Sequence, residues 1–207
     1  MNLKNWNYLF WTTLAVGAAG SLIVGLLMQW THTLDMNGTA DALINIGVLL
    51  GVGAMVSVYS QMGFFAYLML NYMGSGVFSR RTWNYIQLGL AMLAWLELMF
   101  FRLFVGTEGR GTSDIVLGLA LLGIAIGVGY FKARMTNATA WIPTLFFMIA
   151  FTILEIVGVL KIGVDLATLW IAAPLIACNA YQILILHRVL KPQNTYKPPQ
   201  QQGLVNK

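Results

Sequence analysis

Charge is scarce in this chain. Only 9% of its 207 residues are Asp, Glu, Lys or Arg, against about 25% in ordinary soluble domains. With 58% of the residues hydrophobic, a soluble fold could not clothe its surface, and the excess apolar area requires lipid. Cysteine is scarcer still. Cys178 stands alone, which excludes an internal disulfide and metal-ligand Cys spacing; inside an apolar run it reads as a small packing residue. The two histidines, His32 and His187, border different apolar segments on opposite sides of the membrane and cannot share a zinc ion. HExxH, G-x-S-x-G and P-loop patterns are missing, and no nucleophile accompanies the few carboxylates. The chain therefore reads as a non-enzyme without metal or cofactor.

What is present is long apolar sequence. Six stretches run from Leu9 to Trp30, Leu43 to Tyr72, Trp83 to Phe104, Ile115 to Phe131, Trp141 to Leu160 and Leu166 to Leu186. Most approach the ~20 residues that a helix needs to span hydrocarbon. The second is long enough to tilt or project, and the fourth is the shortest. The first exceeds the ~7–15 apolar residues of a cleaved signal peptide and reads as a retained helix. None alternates apolar and polar residues as barrel strands do, so helices are expected. The expected fold is an all-α polytopic bundle of six transmembrane helices spanning residues 1–190, with a flexible cytoplasmic tail at 191–207.

Loop charge sets the expected orientation. Lys4, Arg80, Arg81, Lys132, Arg134, Arg188, Lys191, Lys197 and Lys207 fall on one side; Arg110 and Lys161 fall on the other, mixed with Asp35, Asp41, Glu108, Asp114 and Asp165. The positive-inside rule places both termini in the cytoplasm of a multi-pass cell-membrane protein. The formal charge of +5 does not indicate nucleic acid, because the basic residues edge the apolar segments where lipid headgroups lie. Trp6, Trp11, Trp30, Trp83, Trp141 and Trp170 also lie near segment ends, as an interfacial belt requires. Gly47-x-x-x-Gly51 and Gly123-x-x-x-Gly127 are expected to let helices approach closely within the bundle. Pro174 should release the carbonyl of Trp170 and bend the last helix.

The polar residues inside these runs carry the functional information, since an ionised side chain at mid-bilayer costs about 2.5–3.5 kcal/mol. Gln87, Ala94 and Glu97 follow one helical stripe; Thr144, Met148, Thr152 and Glu155 follow another. The two stripes are expected to face each other in the outer part of the bundle, with Arg102 as countercharge. Glu97, Arg102, Glu155, Thr152 and Gln87 would then form either a structural ion-pair cluster or a water-accessible ligand or proton site. A second cluster is expected nearer the cytoplasm: Ser57, Ser60 and Gln61 on the second helix against Asn179, Tyr181 and Gln182 on the sixth. Amide hydrogen bonds of this kind are worth about 0.6–2 kcal/mol each.

Ser60-Gln-Met-Gly-Phe-Phe-Ala-Tyr67, the Leu145-Phe-Phe-Met148 run followed by Glu155, and Cys178-Asn-Ala-Tyr-Gln-Ile-Leu-Ile-Leu186 resemble the KinB-signalling-pathway activation protein (KbaA) family of spore-forming Bacillota. With the six-helix layout the likeness covers roughly residues 5–190. The resemblance implies a small polytopic membrane regulator that promotes signalling by the sensor histidine kinase KinB towards sporulation; it assigns no catalytic or ligand residues. The alternative from the residues is a solute-binding or transport protein, with Glu97, Arg102 and Glu155 lining a pocket for a small polar molecule. A scaffold that only assists assembly of other membrane proteins is the third reading.

Overall fold

A computed structural model describes residues 3–31, 39–105, 111–159 and 166–190, and these are all-α apart from short connecting turns. The helices are α1 (Leu3–Thr31), α2 (Thr39–Val77), α3 (Arg80–Val105), α4 (Gly111–Met135), α5 (141–159) and α6 (Leu166–Val189). The described part of each expected apolar stretch lies in one of them. Among the described residues, Lys4–Leu27, Leu43–Val77, Ile115–Met135 and Ala138–Gly158 are long and apolar enough to cross a membrane. The tail at 191–207 and the connections at 32–38, 106–110 and 160–165 lie outside the described residues.

Helix α2 is the longest at 39 residues, about 58 Å at 1.5 Å per residue, so it exceeds an upright hydrocarbon span. It ends in a tight turn. The amide of Phe78 donates to the carbonyl of Gly74 at 2.9 Å, and the amide of Thr82 reaches the Ser79 hydroxyl at 3.4 Å, a serine cap at the start of α3. Helix α5 is composite. After a 3-10 turn at Ala138–Ala140, α-helix over Trp141–Phe146 passes into a π-helical stretch at Phe147–Phe151 and returns to α-helix over Thr152–Val159. Helix α6 runs continuously through Pro174.

The helices alternate in direction. Phe10 lies beside Gln61, Gly17 beside Gly53, and Gly25 beside Leu49, so α1 and α2 are antiparallel. Asn71 and Gln87 meet across α2 and α3, and the Asn5 amide donates to the carbonyl of Val189 at 3.1 Å. Both ends of the described chain therefore lie at the same end of the bundle. The basic residues Lys4, Arg80, Arg81, Lys132, Arg134 and Arg188 gather at this end too, whereas Arg102 lies near the other end of α3.

Small residues place α1 against α2 and α6. A Cβ on Gly17 would come within 2.7 Å of both the Gly53 carbonyl and Ser57. Gly20 likewise leaves room for the ring of Pro174. The glycine pairs singled out by spacing do something else. Gly47, Gly51, Gly123 and Gly127 have nothing within 4 Å of a built Cβ; they face away from the bundle, contrary to expectation. Gly51 is two residues, about 200° of helix, from Gly53, and Gly53 is the one in the seam. The main apolar core lies on the other side of α2. There Phe64 and Tyr67 meet Phe147 and Phe151, with ring centroids 4.8 Å apart for Tyr67 and Phe147.

Candidate functional site

Where α2, α5 and α6 converge, five polar side chains are buried together: Ser60, Thr152, Glu155, Asn179 and Gln182. Asn179 is the centre. Its Nδ2 donates to Glu155 Oε2 at 2.6 Å and to Thr152 Oγ1 at 3.0 Å. Its Oδ1 accepts from the Ser60 hydroxyl at 2.6 Å, and Gln182 Nε2 donates to the same Ser60 oxygen at 3.1 Å. A second strand of contacts runs to α1: Gln61 Nε2 approaches Ser57 Oγ at 3.4 Å and the carbonyl of Phe10 at 3.3 Å.

Backbone design makes room for the carboxylate. Glu155 is only 4% exposed, and its Oε1 presses against Gly63, where any Cβ would overlap it. Thr144, Met148, Thr152 and Glu155 are all buried, but so is every residue from Phe146 to Ile153, so burial on this helix does not single out one stripe. The π-helical stretch lies within that buried run. Its wider turn buries five consecutive residues, Phe147 to Phe151, before the helix presents Thr152 and Glu155 to α6.

The network is rich in acceptors. Among the described residues, Glu155 Oε1 and Gln182 Oε1 are buried without a hydrogen-bond partner. Ser60 gives its proton to an amide oxygen, which cannot serve as a general base, so the hydroxyl is not activated as a nucleophile. The arrangement suits a joint between helices: each of α2, α5 and α6 contributes a polar group that hydrocarbon would reject.

The two clusters expected from spacing are thus regrouped. Glu155 and Thr152 belong with Ser60, Asn179 and Gln182. Counting from the helix ends put Glu155 near the outer surface, but its partner Asn179 lies 13 residues, about 20 Å, into α6. Tyr181 is half-buried against the apolar core. Gln87 is buried elsewhere: its Nε2 donates to Asn71 Oδ1 at 3.0 Å, and Trp83 Nε1 donates to the same oxygen at 3.0 Å.

Glu97 does not face Glu155. It is exposed, because ten residues of helix after Gln87 leave it about 80° off that stripe; the packed face continues through Ala91, Ala94 and Leu98 instead. The shared pocket expected for a polar solute is therefore not formed by these carboxylates. Arg102 lies in α3, but its side chain is outside the described residues.

Two further residues escaped spacing arguments. Asn71 was visible as an amide at the end of an apolar run. Lys132 was read only as a topology marker, yet it is 5% exposed, and its amine donates to the carbonyls of Ile183 at 2.6 Å and Leu184 at 3.3 Å. The contact ties α4 to the C-terminal part of α6, where a cation complements the helix dipole.

Comparison with known proteins agrees with the motifs. The profile of the family described as KbaA, KinB-signalling pathway activation in sporulation, matches residues 17–189. The KinB-signaling pathway activation protein of Bacillus subtilis (strain 168) is 32% identical over 183 residues, covering 86% of this chain and 92% of that protein. No solved structure matches the chain.

Proposed function

The chain belongs to the KbaA family, and from that membership we propose that it is a non-enzymatic integral membrane protein promoting signalling by a KinB-type sensor histidine kinase towards sporulation. The similarity to the Bacillus subtilis activation protein along nearly its whole length carries the proposal. In this reading all six helices span the cell membrane and both termini are cytoplasmic. The apolar spans and the cluster of Lys4, Arg80, Arg81, Lys132, Arg134 and Arg188 at one end of the bundle support that orientation.

The buried joint suggests how such a protein acts. A helix bundle without a soluble domain meets its partner through helix faces, and it regulates by binding one arrangement of the partner's helices better than another. A pre-set angle among α2, α5 and α6, held by Asn179, gives it a defined face to present. The test is deletion of the gene in its own host, with phosphate flow from the KinB-type kinase as the readout. Flow is expected to fall and to recover on re-expression; flow unchanged by deletion would overturn the proposal. Orientation is tested separately, using cysteines introduced as Ser79→Cys and Thr136→Cys in a Cys178→Ser background. Both should react with an impermeant thiol reagent only when it reaches the cytoplasmic side.

A further inference from the structure

The polar joint of α2, α5 and α6 is short of hydrogens. Glu155 Oε2 accepts one bond, from the neutral amide of Asn179 at 2.6 Å. Glu155 Oε1 and Gln182 Oε1 are buried without a partner among the described residues. Ser60 gives its hydroxyl proton to Asn179, and Asn179 divides its two amide hydrogens between Glu155 and Thr152. Each unfilled acceptor costs free energy, and a buried ionised carboxylate adds the larger cost of an unmatched charge.

Among the described residues no basic group reaches Glu155. On α5, residues 141–159 hold no other ionisable side chain. From α2 come only tyrosines: the Tyr59 hydroxyl lies against Gly158, and Tyr67 belongs to the aromatic core. From α6 comes the Cys178 thiol, which turns to the Thr13 carbonyl at 3.8 Å, while His187 and Arg188 sit in the last turn. On α4, Lys132 is set on the carbonyls of Ile183 and Leu184, four and five residues beyond Asn179. On α1, Lys4 lies at the basic end. On α3, Glu97 is exposed, and Arg102 lies at another level. Gln87 touches Asn71; Arg102 is 15 residues past Gln87, whereas Gly63, against which Glu155 rests, is only eight from Asn71. The difference of seven residues puts the Arg102 backbone about 10 Å farther out than the carboxylate.

One ligand answers both deficits. A proton neutralises the carboxylate and adds a hydrogen to a group that has none. A metal cation needs several oxygens around it, but Oε1 lies against the Gly63 backbone, and His, Cys, Asp and Glu side chains form no group of three among the described residues. Position gives the proton leverage. Glu155 belongs to the α-helical piece Thr152–Val159, which the π-helical stretch separates from the first part of α5. The described polar contacts of that piece with α6 are the two bonds from Asn179, to Thr152 and to Glu155.

We propose that Glu155 is a proton-binding site: the protonated acid closes the joint, and loss of the proton loosens Thr152–Val159 from α2 and α6. Such a site belongs to the bundle itself and stands whether or not the partner is a kinase.

The test uses the full-length protein in nanodiscs. Infrared difference spectra taken between neutral and alkaline pH should show the C=O stretch of a carboxylic acid that weakens as pH rises. Glu155→Gln should remove this band and Glu97→Gln should keep it. Asn179→Ala, which takes a hydrogen bond from Oε2, should shift it, and that shift carries the assignment if Glu155→Gln does not fold. Hydrogen exchange of Thr152–Val159, corrected for its intrinsic pH dependence, should quicken by about tenfold as the band fades. In Glu155→Gln, which cannot ionise, exchange should stay slow throughout. An acid band missing from the wild type, or surviving in Glu155→Gln, would overturn the proposal. So would exchange that follows sodium at constant pH, the mark of a metal-cation site. Loss of the pH dependence in Arg102→Gln would overturn it as well, because the carboxylate would then be half of an ion pair.

Discussion

Along one side of α2 the backbone meets α1 almost bare, through Gly17, Gly53 and Ser57, while along the other side α2 meets α5 through the rings of Phe64, Tyr67, Phe147 and Phe151. Both seams are apolar and both exclude lipid, but they gain their energy differently. The glycine seam brings main chains close enough for dense dispersion contact, and it has no side chain to spare. The aromatic seam fills a wide gap with large rings, several of them in tilted or edge-to-face geometry. The polar joint lies where α2, α5 and α6 converge, with the bare backbone of Gly63 making room for Glu155. A helix surface can thus be read by asking which change it would resent: adding atoms or removing them.

The comparison breaks most readily on the aromatic side. Phe147 is fully buried among Phe64, Tyr67 and Phe151. Phe147→Ala should cost about 3–5 kcal/mol through lost contact and the cavity left behind, seen as a lower unfolding temperature in detergent or nanodiscs. On the glycine side the sign reverses. Gly53→Val would drive a side chain into the backbone of Gly17 and Ala18, and neither main chain can yield cheaply. The expected loss is about 3 kcal/mol, towards the upper end of overpacking. Gly51→Val, two residues away with open space around it, should stay within about 0.5 kcal/mol. If the two valine variants lose equal stability, the seam is not where the structure puts it.

The polar joint is the next rung. Asn179→Ala removes the donor that Glu155 and Thr152 share and the acceptor that Ser60 uses, stranding buried groups. The cost should be about 2 kcal/mol. In a Glu155→Ala background the same change should cost roughly half as much, since the Asn179 bond to Glu155 is already gone. A double-mutant cycle by thermal or denaturant unfolding measures the difference. Additive costs would mean that Asn179 and Glu155 do not act on each other.

Much of this was legible in the residues. Hydropathy located every described helix, because backbone in lipid has no alternative to internal hydrogen bonding. The pairing of Ser60 with Asn179 and Gln182 was legible too, since polar residues at helical spacing in apolar runs must find one another. What misled was geometry that accumulates. Glu97 was assigned to the stripe of Gln87, although the twist over ten residues carries it off that face. Glu155 was given the wrong depth because depth was counted along α5, whereas its level is set by how far α5 is displaced along α6. The π-helical stretch at Phe147–Phe151 left no signal in a search for regular periods. Gly-x-x-x-Gly spacing misled for a different reason: glycine permits close approach but does not specify it, and the seam formed at Gly17 and Gly53, which match no such pair.

Lys132 gives the smallest and most local test. It joins α4 to α6 at a point where neither kind of seam exists, through an amine set on the carbonyls of Ile183 and Leu184. Those carbonyls lie in the last two turns of a helix ending at Val189, so the amine meets the negative end of the dipole, and at Leu184 it shares the oxygen with His187 Nδ1, 2.7 Å away. Lys132→Met keeps most of the apolar stem while removing the charge and its donors. The carbonyls retain their helical partners, so nothing is stranded and the loss should be only about 1 kcal/mol. Lys132→Glu should cost clearly more, because it sets a negative charge against the same oxygens. Equal unfolding temperatures for the two variants would show that the stem alone holds α4 to α6, and that the contact belongs with the apolar seams after all.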